Sequence, residues 1–316
     1  MKIVFLIEAF PVVSEPFIID QVTGLIDRGI EVKIFSFRHG GNKEISDKFY
    51  EYELAKITKY INVPKNKFAR IMMAIPKGVS LLCKNPKAFV GALDFKAYGR
   101  EVFSLNLIYW AEALVGESFD LAHCHFGPVG NKYLKIKDVL NLPQKFITTF
   151  YGYDISRTII KSGPGVYERL KKECSLFLVM SENAKERVVD YGFSTEKVIV
   201  HPIGINIEEY PFKERTVSVD EPIRIFSVGR FVEKKGFDDL LRALNIVREK
   251  TKRQFICTIV GDGPMKKTIL DMTEKFKLND VLDFKGYMNI KKIISLMGDM
   301  HFFVQPSKTA KDGNME

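Results

Sequence analysis

Short apolar runs alternate with amphipathic stretches along this chain, and that alternation is what most limits the folds open to it. Residues 2–9 read as a strand, Ser14 as an N-cap with Pro16 in the first helical turn, and residues 30–37 as a second strand behind the stop signal at Gly29. Further strands are predicted near 120–125 and over 145–150, 176–180 and 198–201, with helices through 109–115 and after Ser181. Strands and helices taken in turn predict the α/β class with a parallel, doubly wound sheet.

At 316 residues the chain is longer than one core usually organises, so two domains are expected. The stretch 211–222 is charged and lacks apolar periodicity, which reads as a linker. This gives a first domain over 1–210, a linker over 211–222 and a second domain over 223–316. The second half repeats the pattern. Strands are predicted over 223–228, 255–260, 281–284 and 301–305, and helices over 237–250, 265–276 and 290–297. That is less than a whole doubly wound domain needs, so the second is expected to be incomplete.

The composition, 46% hydrophobic and 28% charged, is that of a folded globular chain. No apolar run is long enough to span a bilayer, the longest candidates being broken by Lys77 and Glu112. No cleavable leader is evident, which predicts a cytoplasmic protein. Cys83, Cys124, Cys174 and Cys257 are scattered and fit no metal or redox spacing, so buried thiols are expected.

The net charge of +9 is concentrated. Residues 56–100 hold ten bases, among them Lys65, Lys67, Arg70, Lys77, Lys84 and Lys87, against the single acid Asp94. Apolar residues alternate with them, so 56–115 reads as a basic, apolar helical segment. It is either a surface for anionic lipid on the inner face of the cell membrane or a hairpin with a solvated lysine face. No nucleic-acid module accompanies the charge, and a nucleic-acid partner is not expected.

In the second half, Gly229, Arg230 and Lys235 lie between a predicted strand and the helix that follows, where free N–H groups and the helix dipole favour anions. Gly261-Asp262-Gly263-Pro264 forms a second glycine turn after the next strand. Neither is a dinucleotide fingerprint, and residues 7–14 after the first strand contain no glycine, which argues against an epimerase or dehydrogenase.

The segment from Gly229-Arg230 to Lys235-Gly236 resembles the G-R-x-x-x-x-K-G pattern of family 4 glycosyltransferases. So do Asp120 through His123 and His125 (D-x-x-H-x-H), Thr149-Phe150-Tyr151-Gly152-Tyr153-Asp154 (T-F-H-G-x-D, with Tyr151 in place of histidine), Gly204-Ile205-Asn206 and the Gly261–Pro264 turn. The opening from Phe10 through Ser14, Glu15 and Pro16 is similar to the exopolysaccharide and colanic-acid subgroup. The resemblance implies a GT-B fold, two Rossmann-like doubly wound domains facing a cleft. It also implies a retaining, metal-independent hexosyltransferase without a cofactor.

The implied substrates are a nucleotide-diphosphate sugar donor, UDP- before GDP-linked, and a growing, lipid-linked saccharide acceptor. The residues carried over as catalytic are His125, Arg230, Lys235 and Glu316. Gly229, Gly261, Asp262 and Gly263 join the last three at the donor, and Ser14, Glu15, Tyr151 and Asp154 lie on the acceptor side. Glu316 matches the first glutamate of the family's E-x7-E signature, so the chain is expected to stop within the donor site. The alternative is an inactive GT-B remnant that serves as a binding or scaffolding protein.

Overall fold

A computed structural model describes residues 1–41 and 45–314, and Glu316 lies outside the described residues. The chain forms two compact units that meet between Ile205 and Asn206. The stretch 211–222, expected to be a linker, is tied to the second unit: Arg253 donates to the carbonyls of Ser218, Val219 and Glu221, and Arg215 to those of Met297 and Gly298.

The first unit runs β1 (Lys2–Phe10), α1 (Pro16–Ile26), β2 (Glu31–His39), α2 (Asp47–Glu51) and β3 (Thr58–Tyr60), then a helical layer. That layer is α3 (Lys67–Lys84), α4 (Pro86–Ala92), α5 (Phe95–Tyr98) and α6 (Asn106–Leu114). The chain returns to the sheet with β4 (Leu121–His125), α7 (Gly127–Leu140), β5 (Lys145–Phe150), α8 (Arg157–Ser162), α9 (Glu168–Glu173), β6 (Leu176–Val179), α10 (Glu182–Asp190) and β7 (Val198–Val200).

All described pairings in this sheet are parallel, in the order β3-β2-β1-β4-β5-β6-β7. Because side chains alternate across a strand, Ile3, Phe5 and Ile7 pack under α1 with Ile18, Ile19 and Val22. Val4 and Leu6 face the larger core formed with α3, α6 and α7. The winding reverses between β1 and β4, and open α/β sheets bind ligands at the carboxyl ends of strands beside such a reversal. Ser14 does not cap α1. Glu15 occupies the cap position with no side-chain bond, and Ser14 lies exposed in the preceding turn.

Within the helical layer α3 packs against α6 through Ala74, Gly78 and Leu81. Two of the bases expected to face outward turn inward instead. Lys77 pairs with Glu112 at 3.0 Å, and Arg70 donates to the Pro64 and Ser104 carbonyls. Trp110 of α6 is buried edge-on to Phe37 of β2 at 5.4 Å, with the Lys132 ammonium 5.6 Å from its ring. Among the described residues no helix is long and apolar enough to cross a membrane. Cys124, Cys174 and Cys257 are buried as expected, but Cys83, near the end of α3, is exposed.

The second unit comprises β8 (Ile223–Val228), α11 (Phe237–Lys250), β9 (Phe255–Val260), α12 (Lys266–Lys275), β10 (Leu282–Gly286), α13 (Ile290–Met297) and β11 (Phe302–Phe303). Its strands are also parallel, in the order β10-β9-β8-β11, so this winding reverses between β8 and β11. Its core joins Phe231, Phe237, Leu241, Leu244, Cys257 and Ile259. The final strand is shorter than the predicted 301–305, since pairing with β8 covers only Phe302 and Phe303.

Candidate functional site

In each unit the expected acceptor- and donor-side residues follow the carboxyl ends of strands: β1, β4 and β5 in the first, β8 and β9 in the second. In the second unit the loop 229–236 after β8 also meets the segment 304–308 after β11. Gly236 has φ +67°, and a Cβ added there would lie 1.8 Å from the Pro306 carbonyl oxygen, so only glycine lets the two segments touch. The Lys308 amide donates to the Lys234 carbonyl at 2.8 Å. Arg230 is exposed on this loop and Lys235 is half-buried, its stem running past Gly229.

The Gly261-Asp262-Gly263-Pro264 turn braces that loop. A Cβ on Gly261 would lie 2.0 Å from the Gly229 carbonyl oxygen, and one on Gly263 2.7 Å from that of Phe231. The Phe231 amide donates to the Asp262 carbonyl at 2.9 Å, and the Met265 amide to Phe231 at 3.0 Å. The Asp262 carboxylate accepts from Lys266 at 2.9 Å and from the Gly263 amide at 2.7 Å, both of which lower its pKa. Asp262 therefore shapes its own turn.

Helix α11 starts at this loop, and its first turn carries Asp238 and Asp239, which on their own would repel an anion. Lys308 offsets them with bonds to Asp238 at 2.7 and 2.8 Å and to Asp239 at 2.8 Å. Burial alone would raise the Asp238 carboxyl, but Lys308 and Arg242 hold it below its ordinary value. Sequence reading missed Lys308 because its partners lie about seventy residues earlier.

In the first unit His125 ends β4 and Glu15 follows β1. Both histidines of the D-x-x-H-x-H block are buried, and their rings stack with centroids 4.4 Å apart. His123 Nε2 pairs with Thr149 Oγ1 at 2.7 Å, and His125 Nδ1 with the Tyr151 hydroxyl at 2.8 Å. Burial pushes His123 down to about 3 and His125 well below its ordinary range, so both rings are neutral near pH 7. His125 Nε2 is buried with no hydrogen-bond partner among the described residues. Burial raises the Tyr151 phenol, which stays protonated.

Asp154 is fully buried and accepts from the amides of Gly127, Tyr151 and Gly152 at 3.1, 3.0 and 2.9 Å. Burial raises it to about 6 against the pull of those amides. Its role is to pin the β5 loop to the start of α7. Gly127 is required there, because a Cβ would lie 2.4 Å from the Phe150 ring. Glu15 is half-buried and raised to about 7, by burial first and then by nearby Glu8. Glu8 also pairs with Lys132 and with Arg38, a contact that no motif signalled.

Two parallel doubly wound units, with glycine turns and bases at the carboxyl edge of the second, define a GT-B protein, and comparison with known proteins gives its family. The family model described as "Glycosyl transferases group 1" matches residues 209–314, and relatives at 30% identity align over the whole chain, so this chain belongs to the group 1 glycosyltransferases. One such relative is the protein named as the colanic acid biosynthesis glycosyltransferase WcaL of Escherichia coli (strain K12), 30% identical over all of this chain and 78% of its own length.

The amylovoran biosynthesis glycosyltransferase AmsK of Erwinia amylovora matches at the same identity and coverage. Among solved structures, Anabaena HepE in complex with UDP and glucose superposes with a TM-score of 0.61 at 17% identity, over 99% of this chain and 76% of that one. The chain is thus a transferase enzyme with the GT-B fold.

Proposed function

We propose that this enzyme moves a hexosyl group, with retention of configuration and without a metal, from a UDP-linked sugar to a growing lipid-linked saccharide of a surface polysaccharide. One observation carries the reading. The loop bearing Arg230 and Lys235 lies at the start of α11, beside the reversal of the second sheet, where the carboxyl edge of such a fold takes its ligand. A diphosphate placed there meets two cations and the helix N-terminus, while Lys308 masks the two acids of the first turn.

In this reading Arg230 and Lys235 take up the negative charge that grows on the leaving phosphate, each contributing roughly 3 kcal/mol to the transition state. The first unit supplies the acceptor side through Ser14, Glu15 and Tyr151. His125, neutral and buried, acts on that side through the Tyr151 hydroxyl that it holds. HepE, which shares the fold, was crystallised with UDP and glucose, and this supports UDP as the nucleotide. The names of WcaL and AmsK support an exopolysaccharide product, and an acceptor of that kind would be met at the inner face of the cell membrane.

Titration calorimetry with UDP and GDP on the wild type, Arg230→Ala and Lys235→Ala tests the reading. Loss of a charge-assisted contact of about 1.5–3 kcal/mol predicts UDP affinity weakened by roughly 10- to 100-fold in each variant. Equal UDP affinity in all three proteins would remove the diphosphate from this loop.

A further inference from the structure

We propose that α3 lies in the plane of an anionic lipid surface, inserting one apolar stripe between two clusters of lysine. A helix on a protein surface normally turns its polar side away from the core. In α3 the strip packed inward is Ala74, Gly78 and Leu81, whereas Phe68, Met72, Ile75, Val79 and Leu82 are exposed by between 43% and 74% of their surface. Their spacing of four, three, four and three residues places all five along one line of the helix. At 1.5 Å per residue, the 18 residues of α3 make a rod about 27 Å long.

The flanking charge identifies the occupant. Lys65 and Lys67 at one end and Lys84 and Lys87 at the other are all exposed. The sole acid of residues 56–100, Asp94, has its carboxylate engaged by the amides of Lys96 and Ala97, and Glu112 of α6 lies 3.0 Å from Lys77 and 3.8 Å from Lys84. A second copy of the chain laid antiparallel on this stripe would bring the lysine clusters together, with no acid beside them that is not already engaged within its own chain. Lipid phosphates answer those ammonium groups while the acyl region takes the stripe. The apolar surface continues past α3 to Val90, Phe95 and Phe103, the last two in ring contact at 5.8 Å.

The proposal deepens the functional reading, which places a lipid-linked acceptor at the same surface, but lipid binding itself does not depend on transferase activity. The test is sedimentation of the 316-residue chain with vesicles of phosphatidylcholine, alone or mixed with phosphatidylglycerol. Lys65, Lys67 and Lys87, each worth roughly fivefold near an anionic surface before screening, predict about a hundredfold preference for the mixed vesicles, weakening with salt, while Lys84 is partly offset by Glu112.

Ile75→Glu with Val79→Glu, both on exposed positions, should abolish binding to either vesicle while leaving UDP titration at the wild-type value. Replacing Lys65, Lys67 and Lys87 with Gln should leave the weak neutral-vesicle binding and remove most of the anionic preference. Three outcomes overturn the proposal. They are equal binding to both vesicles, undiminished binding by the double glutamate variant, and a lipid-free dimer that this variant dissolves, which would assign the stripe to a second copy. If vesicle binding holds but UDP does not bind the wild type, the donor reading falls and the membrane surface stands.

Discussion

Gly236 and Gly286 share a φ of +67° but differ in surroundings, which allows the contact between the 229–236 and 304–308 segments to be weighed apart from backbone strain. Alanine at either position adopts a left-handed conformation at roughly 1–2 kcal/mol. At Gly286 nothing lies within 4 Å of the added Cβ, so strain is the whole cost. At Gly236 the Cβ would meet the Pro306 carbonyl oxygen at 1.8 Å, and relief to an ordinary carbon–oxygen separation of about 3.3 Å requires one segment to retreat by roughly 1.5 Å.

That retreat pulls on the Lys308 to Lys234 bond at 2.8 Å and on the Lys308 ion pairs, worth about 1 kcal/mol and about 1.5–3 kcal/mol. Gly236→Ala should therefore destabilise the second unit by about 3.5–6 kcal/mol, against about 1–2 kcal/mol for Gly286→Ala. Hydrogen exchange of β8 and β9 peptides during urea unfolding reads both values. UDP titration should show weakened binding in the Gly236 variant alone. Equal destabilisation of the two would mean that the 229–236 and 304–308 segments are not held together as described.

Replacing Lys308 with Met leaves Arg242 alone to pair with Asp238 and Asp239 at the start of α11, and UDP affinity measured by calorimetry should fall severalfold, up to roughly tenfold, with little change in fold. Tyr151→Phe leaves both ring nitrogens of His125 unpaired and should cost the first unit about 1–3 kcal/mol, seen as faster exchange in β4. His123 has a folded pKa depressed to about 3. As pH falls below about 6.5, the unfolded chain takes up a proton that the folded ring refuses, so stability is lost down to about pH 3. Stability against pH between 6 and 4.5 should accordingly be shallower in His123→Gln than in the wild type by about 1.4 kcal/mol per pH unit. Glu15 and Asp154, raised to about 7 and about 6, bind protons in the folded state and act with the opposite sign, and they cancel in that difference.

The strands were legible because their signal is local. The apolar runs at 2–9, 145–150 and 255–260 lie within a residue of β1, β5 and β9, and the glycine turns after β8 and β9 fall where the motifs placed them. Contacts between distant residues were not legible. Nothing near Ser14 shows that the turn closing on Val12 shifts the cap to Glu15, nor can spacing show that Lys77 finds Glu112 across two helices. The same holds for Asp154, a carboxylate in an exposed-looking motif whose oxygens are taken by three backbone amides.

Burial also settled what the histidines are. Their spacing marked the strand end correctly, but only packing against Phe5 and each other reveals two neutral rings. The basic segment was legible as a basic, apolar helical stretch, but not which of its apolar residues face outward. That took the packing of Ala74, Gly78 and Leu81 inward, which leaves Phe68, Met72, Ile75, Val79 and Leu82 exposed on α3.

The position of Trp110 gives the first unit an optical reporter of its own. The sequence has a single tryptophan, so the second unit contributes nothing to indole emission. Seated where α6 meets Phe37, the ring should fluoresce at short wavelength, and any event that lifts the helical layer from the sheet will shift that emission to the red. Detachment of that layer can thus be followed by light from the first unit alone, without a label.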